Sequence, residues 1–178
     1  MKIWFTADTH FGHGNVIRYN KRPYSSVSEM DNALIENWND VVQPNDTIYH
    51  LGDFTLLGKK LAEHYFSRLN GRIHVVPGGH DRRWNRKHDF FSRSNCPVVV
   101  LPPLVTIKVA VPESAHQQLI VLCHYSMRVW DRSHYGSWHL YGHSHGNLPP
   151  LRNSLDIGVD CWDYQPVSMV RLQIEFEG

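Results

Sequence analysis

Met1-Lys-Ile-Trp-Phe-Thr-Ala7 opens the chain, and Asp8-Thr9-His10 follows at once. A short apolar run ended by an acid and a histidine reads as a buried strand with chemistry at its tip. The same order returns four times. Thr47–Leu51 reads as a strand and runs into Gly52-Asp53. Ile73–Val76 is broken by Pro77-Gly78-Gly79 and followed by His80-Asp81. Leu119–Cys123 ends at His124, and Trp138–Tyr141 at Gly142-His143-Ser144-His145. Ligand sites in open α/β sheets form at the carboxyl ends of strands, so these five points are expected to converge. On extended backbone, residues i and i+2 face the same side. Asp8 with His10, and His143 with His145, would then each aim two ligands one way.

The segments between these strands complete the first half. Ser28 with Asp31 resembles a capping box opening a helix whose apolar face is Met30, Ala33, Leu34, Trp38, Val41 and Val42. Pro44 and Asn45-Asp46 end it. Leu61, Tyr65, Phe66 and Leu69 fit a second helix, stopped by Asn70-Gly71. The second half is richer in strands: Val98–Leu101, Leu104–Val111, Ser154–Val159 and Val167–Phe176 join the two named above. In the last, Val170, Leu172, Ile174 and Phe176 alternate with Arg171, Gln173 and Glu175. Strand–helix alternation followed by strands predicts an α/β fold, a layered sandwich with two sheets. The 178 residues fit a single domain over 1–178.

Composition narrows the function classes. The chain is 42% hydrophobic and 20% charged, with a formal charge of +1. That balance is globular and carries no overall basic field for nucleic acid or an anionic membrane. No apolar run is long enough to span a bilayer. Cys96, Cys123 and Cys161 are odd in number and far apart, which argues against a disulfide framework and for a reducing cytoplasm. Neither a Walker loop, a Ser nucleophile elbow nor His-Glu-x-x-His is present. Histidine is abundant, at 13 residues. Mixed imidazole and carboxylate ligands suit Mn, Fe, Zn or Ni better than Ca or Mg. A carboxylate can bridge two cations, and Asp53 stands alone as the candidate. Two such metals about 3.5–4 Å apart can clamp a phosphoryl group and activate a water.

The five motifs in this order resemble the calcineurin-like metallophosphoesterase superfamily, whose pattern is Asp-x-His, Gly-Asp, Gly-Asn-His-Asp/Glu, a His after a strand, and Gly-His-x-His. Phe11-Gly12-His13-Gly14-Asn15 adds a likeness to its small single-domain bacterial and phage members. The resemblance implies a four-layer α/β/β/α sandwich of two mixed sheets flanked by helices. It implies a phosphodiesterase or phosphatase acting through in-line attack of a metal-bridging hydroxide, with two divalent transition metal ions, Mn foremost. Asp8, His10 and His145 would hold one ion, Asp53 would bridge, and His124 and His143 would hold the second. His80 would serve the scissile phosphate as catalytic histidine, and Asp81 would orient it. One position departs from the pattern: Gly79 stands where the family has an Asn that binds the second metal. A weaker second site is expected from that change.

Substrate contacts are less defined. His13 and Asn15 follow the first motif, and Arg128 lies in Tyr125–Trp138, a loop rich in aromatics and arginine that could stack on a planar group. Arg72, Arg82, Arg83, Arg86, Lys87 and Arg93 surround His80 and could draw in a nucleotide or nucleic-acid strand, or form a solvated face. His50 is expected to support a ligand from behind. No membrane contact and no obligate protein partner are expected. The alternatives are a catalytically impaired metal- or nucleotide-binding member, and a nuclease acting on DNA or RNA.

Overall fold

β1 (Ile3–Thr6) divides its side chains between two cores, in a computed structural model that describes residues 1–85, 89–111, 116–149 and 151–177. Trp4 joins one core with Leu34, Trp38, Ile48, Phe66 and Ile73. Phe5, pointing the other way, joins a second with Val109, Ile120, Leu122, Leu140 and Leu172. The alternation is that of a strand whose two faces are both buried.

Two mixed sheets result. In the first, β1 lies between β2 (Thr47–His50) and β9 (Val167–Ser168). β3 (Arg72–Val75) and β4 (Val99–Val100) extend it beyond β2. β1 to β4 run parallel and β9 antiparallel. In the second, β5 (Leu104–Ala110) pairs antiparallel with β6 (Gln117–Cys123). β7 (Trp138–Tyr141) and β8 (Ser154–Asp156) follow in parallel. The helices in the first half are α1 (Gly14–Tyr19), α2 (Val27–Val41) and α3 (Lys59–Phe66). They contribute Val16, Leu34, Trp38, Ala62 and Phe66 to the core that holds Trp4.

Two local readings are corrected. The N-cap of α2 is Ser26, whose hydroxyl accepts from Glu29 N at 3.2 Å, while the Glu29 carboxylate takes Ser25 N and Oγ. That is a cap two residues earlier than the Ser28–Asp31 pair, and Asp31 is buried on the inner face instead. The expected strand over Val167–Phe176 stops at Ser168, and α4 (Met169–Glu177) begins. Ser168 Oγ accepts from Arg171 N at 3.1 Å, an N-cap bond. Met169, Leu172 and Phe176 form one helical face, with Phe176 stacked on Trp138 at 4.3 Å. Val170 and Ile174 are 50% and 59% exposed. A period of two contains its own i, i+4 pairs, so the alternation Val-x-Leu-x-Ile-x-Phe also serves a helix.

Candidate metal centre

The strand ends do converge. β1 and β2 are in register from Ile3↔Thr47 to Thr6↔His50, and β2 and β3 from Thr47↔Arg72 to His50↔Val75, so their following loops emerge side by side. Asp8 N donates to Gly52 O, and His10 N to Asp53 O, both at 3.0 Å. The second sheet meets the first here. His143 N donates to Asp8 Oδ2 at 2.8 Å, and the His124 ring to Leu51 O at 2.7 Å.

The convergence has a different cause from the extended i, i+2 geometry expected. Asp8, His10, Asp53, His143 and His145 all have positive φ, from 48° to 68°. Left-handed backbone costs a non-glycine residue of order 1–3 kcal/mol and gathers at functional sites. Each loop turns sharply inward at its ligand rather than continuing as strand. Gly52 is required by the same crowding: at φ +85°, a Cβ there would meet the Gly78 backbone and His124 Nδ1.

Two groups of side chains bring their ligand atoms within 4.8 Å of one another: Asp8, His10 and His145, and Asp53, His124 and His143. Asp53 faces both. Its Oδ2 is 3.7 Å from His10 Nε2, and its Oδ1 is 3.4 Å from His124 Nε2. Asp8 Oδ1, both His10 nitrogens and His124 Nε2 are buried with no hydrogen-bond partner. Buried polar atoms are nearly always paired, so orphans that face one another, His10 Nε2 and Asp8 Oδ1 at 3.9 Å, fit a cation held between them. The ring orientation agrees: His124 donates Nδ1–H to Leu51 O, so Nε2, which faces Asp53, is the nitrogen left to bind a cation once its proton is lost.

Charge balance points the same way. Burial pushes the Asp8 carboxyl up to about 7. Burial opposes a proton on His124, yet the neighbouring Asp53 carboxylate outweighs it and holds the imidazole up at about 9. Asp53 itself, despite burial, is held well below the carboxylate range by His124. Burial drives His10 well down and lowers His143 as well, so both remain neutral donors.

His80 stands beside this centre. Its Nε2 is 4.0 Å from Asp53 Oδ2, its ring is edge-on to His10 at 5.0 Å, and its Nδ1 has no partner. His13 is 5.8 Å from His80 between ring centres, and the ligand atoms of His10, His13 and His80 form a third group within 4.8 Å.

Asp81 does not contact the His80 ring as expected. Fully buried, it accepts from Asp53 N, Phe54 N and Gly78 N at 2.8–2.9 Å. Its carboxylate braces the loop that carries Asp53, so it is a positioning residue. Asn15 and Arg128 are also placed elsewhere. Asn15 is exposed on α1, accepting from Arg18 at 2.8 Å. Arg128 is exposed and borders a separate cleft with Trp130, His134 and Arg152. In the same loop Trp130 is buried and donates to Ser137 O. Arg72, Arg82, Arg83 and Arg93 are exposed; Arg86 and Lys87 lie outside the described residues. His50, expected behind a ligand, bonds through its buried Nε2 to Thr9 Oγ1 at 3.0 Å, between the candidate ligands Asp8 and His10 in the chain, and burial lowers it to about 3.

The residues that sequence reasoning missed are those behind the candidate ligands. Asp160 Oδ2 lies 2.7 Å from His145 Nδ1. Arg22, its side chain fully buried, donates to both Asp160 oxygens at 2.8 Å. It also donates to the carbonyls of Asp8 at 2.6 Å and Thr9 at 3.0 Å. One guanidinium thus ties the Asp8–Thr9 loop to the carboxylate behind His145. Asp156 accepts from Ser144 Oγ, Gly146 N and Gly158 N, which closes the turn that holds His143 and His145. Asp31 accepts from Gly12 N and Tyr65 Oη and anchors the turn before His13. Asp156 closes β8 and Asp160 follows it, close to where the candidate ligands sit on other strands, which was a usable signal. Arg22 offered none.

The three cysteines are free, and among the described residues no helix is long and apolar enough to cross a membrane. No protein-family model matches the chain. In fold it is similar to a protein of unknown function, AQ665 from Aquifex aeolicus, with a TM-score of 0.72 and 22% identity over 98% of both chains. The Gene 66 protein of Mycobacterium phage L5 is 26% identical over 180 residues, covering 89% of this chain and 86% of its own. The Gene 66 protein of Mycobacterium phage D29 is also 26% identical, over 95% and 94%. The uncharacterized protein MJ1445 of Methanocaldococcus jannaschii is 31% identical over 177 residues, 94% of this chain and 87% of that protein. With that identity over nearly its whole length, the chain belongs to the family of MJ1445.

Proposed function

We propose that this chain is a metal-dependent phosphoesterase of the calcineurin-like kind, hydrolysing phosphodiester or phosphomonoester bonds at a dinuclear centre. The observation that carries this reading is the set of buried, unpartnered ligand atoms on Asp8, His10 and His124, gathered around the two-faced carboxylate of Asp53. The four-layer α/β/β/α order is part of the same proposal. It is supported by the way Trp4 and Phe5 enter separate cores on the two faces of the first sheet.

Asp8, His10 and His145 with Asp53 Oδ2 would hold one cation, and Asp53 Oδ1 with His124 and His143 the other. Mixed nitrogen and oxygen donors suit Mn, Fe or Zn. Bound there, the pair would supply Lewis-acid charge and a water made acidic enough to act at neutral pH. The protein's own groups do the rest. Asp8, His10, Asp53 and His124 are buried, while His143 is exposed and His80 and His13 are partly so. A phosphate would therefore arrive from the side of those three histidines. The His80 side chain, 37% exposed, is placed to donate a hydrogen bond to a phosphoryl oxygen or a proton to the leaving oxygen. His13 reaches the same space and would hold a second oxygen. Asp81 keeps Asp53 in place through the backbone.

Hydrolysis of bis(p-nitrophenyl) phosphate and p-nitrophenyl phosphate across a Mn²⁺ titration tests the reading. Turnover that rises with Mn²⁺ and is lost in His80→Ala is expected. No metal uptake by the purified chain would refute the proposal.

A further inference from the structure

The two ligand groups are unequal. Asp8, His10 and His145 are joined by Asp53 Oδ2, which makes four side chains. The Asp53, His124 and His143 group has three among the described residues. The Gly78 backbone abuts this group, and Gly79 follows it. A side chain starting at Gly78 would run into Asp53 and His124. One starting at Gly79 would not. Its Cβ would have a single near neighbour, the Tyr125 hydroxyl, at 3.2 Å. Gly79 is free of the left-handed backbone that demands glycine elsewhere in the site. Tyr125 Oη thus lies where a side chain at 79 would begin, and even a Cβ there would crowd it.

The tyrosine ring lies against two of the candidate ligands. Its ring is edge-on to His124 at 4.8 Å and to His143 at 4.9 Å, and the residue is 47% exposed. A phenol on this loop would offer a hard oxygen to a group that already has one carboxylate and two imidazoles, a set that suits Mn or Fe. We propose that the Tyr125 hydroxyl is the oxygen donor that completes the second cation site, standing in for the side chain that Gly79 lacks. The inference rests on the dinuclear reading above and adds a ligand from the loop after β6. It also makes the second ion depend on the loop that follows β6, and so on whatever displaces that loop.

The test uses the metal-free full-length protein and Mn²⁺ alone, followed by calorimetric titration and by metal content after desalting. Tyr125→Phe keeps the ring against His124 and His143 and removes only the oxygen. Two Mn²⁺ per wild-type chain are expected. In Tyr125→Phe the weaker binding event should lose about tenfold or more in affinity, while the tighter one is unchanged. Gly79→Asn in the Tyr125→Phe background should restore the second ion, because the amide oxygen then has room. Unfolding midpoints in urea check that all variants are folded. Two Mn²⁺ bound by Tyr125→Phe with wild-type affinities would overturn the tyrosine proposal and leave the phosphoesterase reading standing. Fewer than two bound by wild type would overturn both.

Discussion

Replacing Asp160 by Asn keeps the side chain's shape and removes its charge. In the native protein its two oxygens receive the Arg22 guanidinium at 2.8 Å, and one of them also lies 2.7 Å from His145 Nδ1. An amide cannot serve both partners, because its nitrogen must face a donor on one side. The Arg22 side chain is fully buried, so its charge would be left without a counter-ion. Breaking one side of a buried pair costs about 3–5 kcal/mol. The metal centre should suffer separately, since loss of the carboxylate behind a ligating histidine lowers metal affinity about 10–100-fold. Burial works to raise the Asp160 carboxyl, but His145 and Arg22 hold it below its ordinary value. Such a group stabilises the fold above the unfolded carboxylate pKa, about 3.9, and the contribution fades as pH falls through the folded value. The wild-type advantage should therefore be full at neutral pH and shrink below about pH 4. Urea unfolding of metal-free protein and Mn²⁺ calorimetry measure the two effects. A stability difference under about 0.5 kcal/mol at neutral pH, with unchanged Mn²⁺ affinity, would refute the bracing role given to this network.

Other perturbations probe different links. Asp53→Asn should lower occupancy at both cation positions, because its two oxygens face His10 and His124 at 3.7 and 3.4 Å; metal content after desalting reads this, and loss of one ion alone would contradict the bridging geometry. Metal affinity should climb with pH, because Asp8 at about 7 and His124 at about 9 must both lose a proton to bind. The climb should be steepest below pH 7 and level above pH 9, and calorimetry in two buffers of different ionisation enthalpy counts the protons released. Trp84→Ala should cost about 3–5 kcal/mol in urea unfolding. Trp84 is fully buried among Phe54, Phe66 and Phe90 and donates to Thr55 O at 3.1 Å.

Local order in the chain made most of the site legible. Each candidate ligand comes after an apolar run, and a short strand has little choice but to end there, so Asp8, His10, Asp53, His80, His124, His143 and His145 could be named before any geometry was known. The parallel core of β1, β2 and β3 was legible for the same reason: each run is apolar and bounded by turn residues. Other features depend on contacts between residues far apart in the chain. Whether Val167–Phe176 is strand or helix turned on Trp138 offering a surface to Phe176, because the alternation fits both periods. Asp81 became a brace for Asp53 because the tight turn from Gly78 folds its carboxylate under a neighbouring loop. Arg22 is one arginine among many in the sequence; only folding places it within reach of Asp8, Thr9 and Asp160, the last 138 residues away. The chain by itself determined which atoms could bind a cation, since that is a property of residue type and of position just beyond a strand. The tertiary structure decided which of them meet and what holds them, since burial, left-handed turns and a shared guanidinium are properties of the packed whole.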